Sequence, residues 1–334
     1  MAAELALMYH VEGPEQVPSR AVYQRVLDQV ELADTLGFDI AWFAEHHFGG
    51  HQAHLPQPLL LALHAAARTR RIATGTAVIC LPLHHPLDVA EQIAVADLLT
   101  GGRLQVALAS GSAAADFAGF GIDIAERPAR FREGLDILLR AWRGQPFRYQ
   151  GRYYDIPELR LRPVPERPPA QFVWLGAISA ETAWLAGELG LGLALPRGWA
   201  PAAYLETIEA YRNGRAAAGL DRERGRVAVT RMCYVADIDE QAHRDVADAV
   251  AAFWRRNRPD EPPALDEMLR RLHIAVGGPQ TVARQLSELL RVTGATTLTL
   301  QPTWECLEHE SVLRSLRLFA ERVRPALEHR SRMP

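Results

Sequence analysis

The feature that most constrains this chain is the alternation of short apolar runs with longer amphipathic stretches. Eight runs carry strand character: residues 5–9 (LALMY), 39–43 (DIAWF), 71–79 (RIATGTAVI), 104–109 (LQVALA), 172–176 (FVWLG), 192–196 (GLALP), 227–235 (VAVTRMCYV) and 297–301 (TLTLQ). Most are apolar without a clean period of two, as strands buried on both faces are. Between them lie segments such as AVYQRVLDQVELADTLG and TVARQLSELLRVTG, with apolar positions at helical spacing and a closing glycine. Strand followed by helix, repeated, predicts a parallel sheet. Eight repeats favour a closed TIM (β/α)8 barrel over an open sheet, because no G-x-G-x-x-G turn follows the first strand. A two-domain doubly wound protein is the structural alternative.

Two segments interrupt the repeat within a single predicted domain over 1–334. Residues 148–171 are rich in proline and aromatics, which predicts an ordered extended excursion before strand five. Residues 237–273 carry two helical patterns around RPDEPP and predict a helical insertion after strand seven. Insertions after barrel strands lie on the C-terminal face, where active sites sit, so this one reads as a lid or an oligomer contact.

Composition excludes several partners. The chain has 37 basic and 40 acidic side chains, a balance that builds no field for nucleic acid or an anionic membrane. It contains no lysine, which excludes Schiff-base chemistry on that residue. Cys80, Cys233 and Cys306 form no CxxC pair, so neither a disulfide framework nor a thiolate metal site is implied. With no signal-peptide pattern and no long apolar span, the expectation is a cytoplasmic protein.

Chemistry concentrates at strand ends. AEHHFGG (44–50) follows the second strand, which puts Glu45, His46 and His47 on the catalytic face. Metal ligation ranks last there, because no other histidine forms an H-x-H or H-x-x-x-H spacing with His46. Proton handling near neutral pH suits His46 better, with Glu45 and His47 positioning it and bracing the strand end. His84 and His85 read as a turn and helix start, with Pro86 in the first helical turn. Small residues around Ala77 and Val78 would let a planar ligand approach, and Ser110-Gly111-Ser112, followed by Asp116, offers hydroxyl and amide donors. Ser179 is a candidate N-cap with Thr182 in the first turn, either an anion site or an ordinary capped helix. Trp199 and Trp304 follow strands six and eight and either line a substrate pocket or pack.

Taken in order, these pieces resemble the bacterial luciferase-like, flavin-dependent monooxygenase family. The segments that carry the resemblance are LADTLGFDIAWFAEHHF, ARTRRIATGTAVICLPLHHPLDVAEQIAVADLLTGGRLQVALASG, DFAGFG, RFREGLDILLRAW, GRYYDIPELRLRPVPERPP, WLGAISAETAWLAGELGLGLAL and LRLFAERVRPAL. The resemblance implies a TIM barrel using FMN as FMNH2, supplied by a separate flavin reductase, to activate O2 as a flavin hydroperoxide and oxygenate a small organic substrate. It implies His46 as the functional histidine and Asp116 as the acidic residue near the flavin. It also implies a non-proline cis peptide at Ala77–Val78 behind the flavin ring, phosphate binding at Ser179 and Thr182, further flavin contacts at Ser110 and Gly176, and a homodimer. Two positions depart from the luciferase pattern. Ala109-Ser110-Gly111 replaces the GRG of many members, as in relatives from natural-product assembly lines, and Ile178 stands where luciferase has an acidic residue. The phosphate would then draw on Arg103, Arg197 or Arg130. Related barrels use the deazaflavin F420 for hydride transfer, which is the second reading; a non-catalytic flavin-binding subunit is the third.

Overall fold

The computed structural model describes residues 3–14, 16–258, 260–304 and 307–330. Eight parallel strands close on themselves: β1 (Glu4–Tyr9), β2 (Ile40–Phe43), β3 (Ala73–Cys80), β4 (Leu104–Ala109), β5 (Val173–Gly176), β6 (Gly192–Arg197), β7 (Val227–Val235) and β8 (Thr297–Gln301). Each pairs with its successor, except that β7 reaches β8 past an insertion, and β8 returns to pair with β1. The expected barrel is therefore present, and the doubly wound alternative is not.

Each strand divides its side chains between two layers. Alternate residues Ala6, Ile40, Trp42, Ala107, Trp174 and Ala228 fill the barrel interior, where Trp42 and Trp174 meet edge to face at 5.9 Å. The remaining strand residues, among them Leu5, Leu7, Phe43, Val106, Leu175, Val229 and Leu298, pack outward against the helices. Two tryptophans among alanines plug the barrel, so a ligand has room only above them, at the C-terminal strand ends. The first helix, Ser19–Leu36, shows how the connections are made. It buries Val22, Val26, Val30 and Ala33 and stops at Gly37, whose φ of 75° lets its N–H return to the last carbonyls.

Within 148–171 the chain forms an antiparallel hairpin, Phe147–Gln150 with Asp155–Leu159. Within 237–273 it forms the helices Asp239–Asn257 and Leu265–Arg271. These helices build a second core from Val246, Val250, Phe253, Trp254 and Met268, to which the barrel contributes Met232, Tyr234 and Trp304. A three-residue strand, Ala275–Gly277, then pairs with the end of β7. The insertion reaches back over the barrel mouth: Arg256 lies 3.5 Å from Glu12, just beyond β1, and Phe253 sits 5.1 Å beneath the Arg197 guanidinium. No helix among the described residues is long and apolar enough to cross a membrane.

Candidate active site

Glu45, His46 and His47, which follow Ala44 at the end of β2, are turned to different tasks. Phe48 and Gly49 both take positive φ, 53° and 73°, and fold the chain back sharply after His47. Glu45 and His47 are thereby buried, while His46 stays half-buried with its backbone N–H on the Leu55 carbonyl at 3.0 Å. Phe48 is 66% exposed and stands against Phe120, whose ring meets His47 edge-on at 4.8 Å.

Glu45 is a hydrogen-bond hub. Its Oε1 is 2.8 Å from His47 Nε2 and 3.0 Å from His84 Nε2, and its Oε2 accepts the Cys80 N–H at 3.2 Å. Burial pushes this carboxyl up, but the hydrogen bonds and charges of His47 and His84 outweigh it and hold the group below its usual range. His84 is thus tied to the end of β2 by a contact that its place in a turn did not suggest. Among the described residues, Glu45, His47 and His84 are the three histidine, cysteine or acidic side chains that come close enough to share an ion. Cys80 is a buried free thiol, pushed up by burial and then by the charges of Glu45 and Asp116. Asp116 is itself buried, in the first turn of the helix Ala114–Gly119.

Val78, Ala109 and Gly176 pack closely together at the ends of β3, β4 and β5. The Ala77–Val78 peptide is cis. Pairing of Leu108 with Leu175 carries Ala109 beside Gly176, and a Cβ on Gly176 would come within 2.8 Å of Val78 Cγ1 and 3.2 Å of Ala109 Cβ. Beyond β5 Ser179 caps the helix Ala180–Glu188, its Oγ accepting the Thr182 N–H at 3.3 Å and lying 3.2 Å from Thr182 Oγ1. Arg132 pairs with Glu181 in the same turn. Ser110 leads into Gly111 at φ 75° beyond β4.

The suggested phosphate arginines fall in different places. Arg103 lies at the opposite end of the barrel because it precedes β4 rather than following it, and it bonds the Ile72 and Ala66 carbonyls. Arg130 pairs with Glu126 at 2.8 Å and covers the Tyr153 ring. Arg197 reaches Gln301 Oε1 at 2.5 Å across the mouth. Trp199 packs on Tyr204 at 5.4 Å, with its carbonyl accepting from Arg231, whereas Trp304 is buried in the second core. A cavity of about 490 Å³ lined by Arg231, His243, His273 and Gln285 lies against the insertion and contains none of the residues singled out from sequence.

One mouth residue escaped the sequence reading. His10 directly follows β1, and its Nδ1 lies 2.8 Å from His46 Nε2. The signal was available: Ala6 and Met8 face the interior, and His10 is next in that period of two.

Comparison with known proteins gives a consistent picture. The profile described as luciferase-like monooxygenase matches residues 4–297. The chain is 30% identical to 4-hydroxyprotoasukamycin monooxygenase of Streptomyces nodosus subsp. asukaensis, over 90% of this chain and 86% of that one. It is 24% identical to the oxygenase component of flavin-dependent trigonelline monooxygenase of Acinetobacter baylyi, over 71% and 66%. Among solved structures, monooxygenase RslO1 from Streptomyces bottropensis superposes with a TM-score of 0.84 at 26% identity, over 96% and 99%. An F420-dependent glucose-6-phosphate dehydrogenase of Microbacterium testaceum matches at 29% identity over 59% of this chain and 60% of its own length.

Proposed function

Because the chain belongs to the luciferase-like monooxygenase family, we propose that it is the oxygenase of a two-component system, receiving FMNH2 from a separate flavin reductase. The observation that carries this reading is the surface of Val78, Ala109 and Gly176, packed together at three neighbouring strand ends and followed by a serine-capped helix start. In this reading a planar ring lies against the surface of Val78, Ala109 and Gly176, and a phosphate suits the Ser179 and Thr182 hydroxyls at the helix start. A phosphate bound there would compete with Glu181 for Arg132, the cation paired to that turn. Bound FMNH2 supplies two electrons to O2, so that one oxygen atom enters the substrate and the other leaves as water. The protein's part is to hold the ring, exclude water with the apolar strand ends, and move a proton at His46, with Asp116 and Glu45 as buried charges nearby. Relatedness to a monooxygenase acting on 4-hydroxyprotoasukamycin supports a substrate from natural-product metabolism.

The test is binding and O2 consumption. FMNH2 should bind in preference to F420, and O2 uptake should rise with a flavin reductase and NAD(P)H present. Preferential F420 binding with no O2 uptake would transfer the chain to the hydride-transfer branch. Within this reading, Gly176→Val is expected to weaken flavin binding by about 1–3 kcal/mol through overpacking, roughly ten- to a hundredfold, as read by titration of flavin fluorescence. Unchanged affinity would move the ring elsewhere.

The same reading includes a homodimer. Leu60, on the helix Pro58–Arg68, and Val95, Leu98 and Leu99, on the adjacent helix Pro86–Leu99, are exposed at 66%, 41%, 38% and 72%. Apolar side chains grouped on two neighbouring helices suit a self-complementary contact. The double variant Leu60→Glu/Leu99→Glu is expected to sediment as a monomer where the parent chain sediments as a dimer.

A further inference from the structure

We propose that His10 is a positioning residue that fixes the tautomer and ring orientation of His46. The inference rests on the reading of His46 as the proton-handling group. His10 Nδ1 and His46 Nε2 face each other at 2.8 Å, and the rings are stacked at 27° with centroids 5.1 Å apart. In a neutral pair one proton lies between the facing nitrogens, and where it resides sets both tautomers. If it sits on His46, then His46 Nδ1 carries a lone pair and acts as a base. If it sits on His10, then His46 Nε2 accepts and His46 Nδ1 becomes a donor. The chemistry open to His46 Nδ1 is therefore coupled to where the proton lies at His10.

Two further observations make the pair a built arrangement. His10 follows β1 immediately, and its neighbours are locked to the strand that leads to His46 through the pairs Met8–Trp42 and Tyr9–Phe43. Glu45, the carboxylate next to His46 in sequence, is committed to His47, His84 and the Cys80 N–H. The contact at His46 Nε2 is thus made by a second imidazole.

The experiment is 15N NMR of the full chain without flavin, paired with steady-state turnover using FMNH2. The expected result is a two-bond nitrogen–nitrogen coupling between His10 and His46, lost in His10→Leu, with the His46 nitrogens moving toward a solution tautomer mixture. Turnover in His10→Leu should fall about ten- to a hundredfold with KM for FMNH2 within about twofold, because the loss is of a productive tautomer rather than of binding. His10→Asn, whose amide reaches the position of Nδ1, should recover most of kcat. Unaltered His46 shifts in His10→Leu would overturn the proposal, as would equal losses in the Leu and Asn variants. Wild-type turnover in His10→Leu alongside an inactive His46→Ala would overturn it too. If the coupling is present but both His10→Leu and His46→Ala turn over normally, the tautomer assignment is supported and the role of His46 fails instead.

Discussion

Replacing His46 with alanine is expected to lower kcat by about a hundred- to a thousandfold while affinity for FMNH2 stays within about threefold. The asymmetry follows from where the side chain stands. His46 leaves the end of β2 on the C-terminal face, half-buried, with its ring against His10 and its backbone pinned to Leu55. The packed residues Val78, Ala109 and Gly176 and the Ser179 helix start belong to β3, β4 and β5 and the segment that follows, so removing the imidazole leaves them in place. A group that moves a proton acts in the transition state and contributes little to ground-state binding. Stopped-flow binding of reduced flavin, followed by product formation in the same samples, separates the two quantities. A loss of affinity as large as the loss of rate would make His46 a wall of the flavin site.

Glu45→Leu is expected to cost about 3 kcal/mol or more of stability. It strands the His47 and His84 ring N–H groups and the Cys80 amide, and a buried donor left unsatisfied costs roughly 1–3 kcal/mol. Glu45→Gln, which keeps an acceptor oxygen, should lose less. The pH dependence has a definite sign. The carboxyl is held below its usual range in the fold, so its contribution is present above the unfolded value, about 4.3, and is lost as pH falls through the lower folded value. In urea unfolding the gap between wild type and Glu45→Leu should therefore be full at neutral pH and shrink below about pH 4. A gap independent of pH would mean that Glu45 acts there through packing.

The strands were legible because strands buried on both faces announce themselves as apolar runs, and all eight appear at their expected places. Ala275–Gly277 was not, since three residues carry no period and this strand exists only through pairing with β7. The same divide runs through the site. Ser179 and Thr182 are three residues apart and could be read as a cap from spacing alone. The Glu45 cluster draws on His84, 39 positions away, and His10 meets His46 across 36. Such contacts are made by barrel closure, and no local pattern encodes them. Arg103 shows the converse error: its residue type suited a phosphate, but its side of the strand did not.

The second core has a consequence for how such a protein can change. The helices Asp239–Asn257 and Leu265–Arg271 rest on a barrel share that includes Met232, Tyr234 and Trp304, while Glu45, His46 and Gly176 lie outside that cluster. The cover over the mouth is thus a module with its own foundation. Its outline can be rewritten for a new guest molecule with the frame beneath it left untouched.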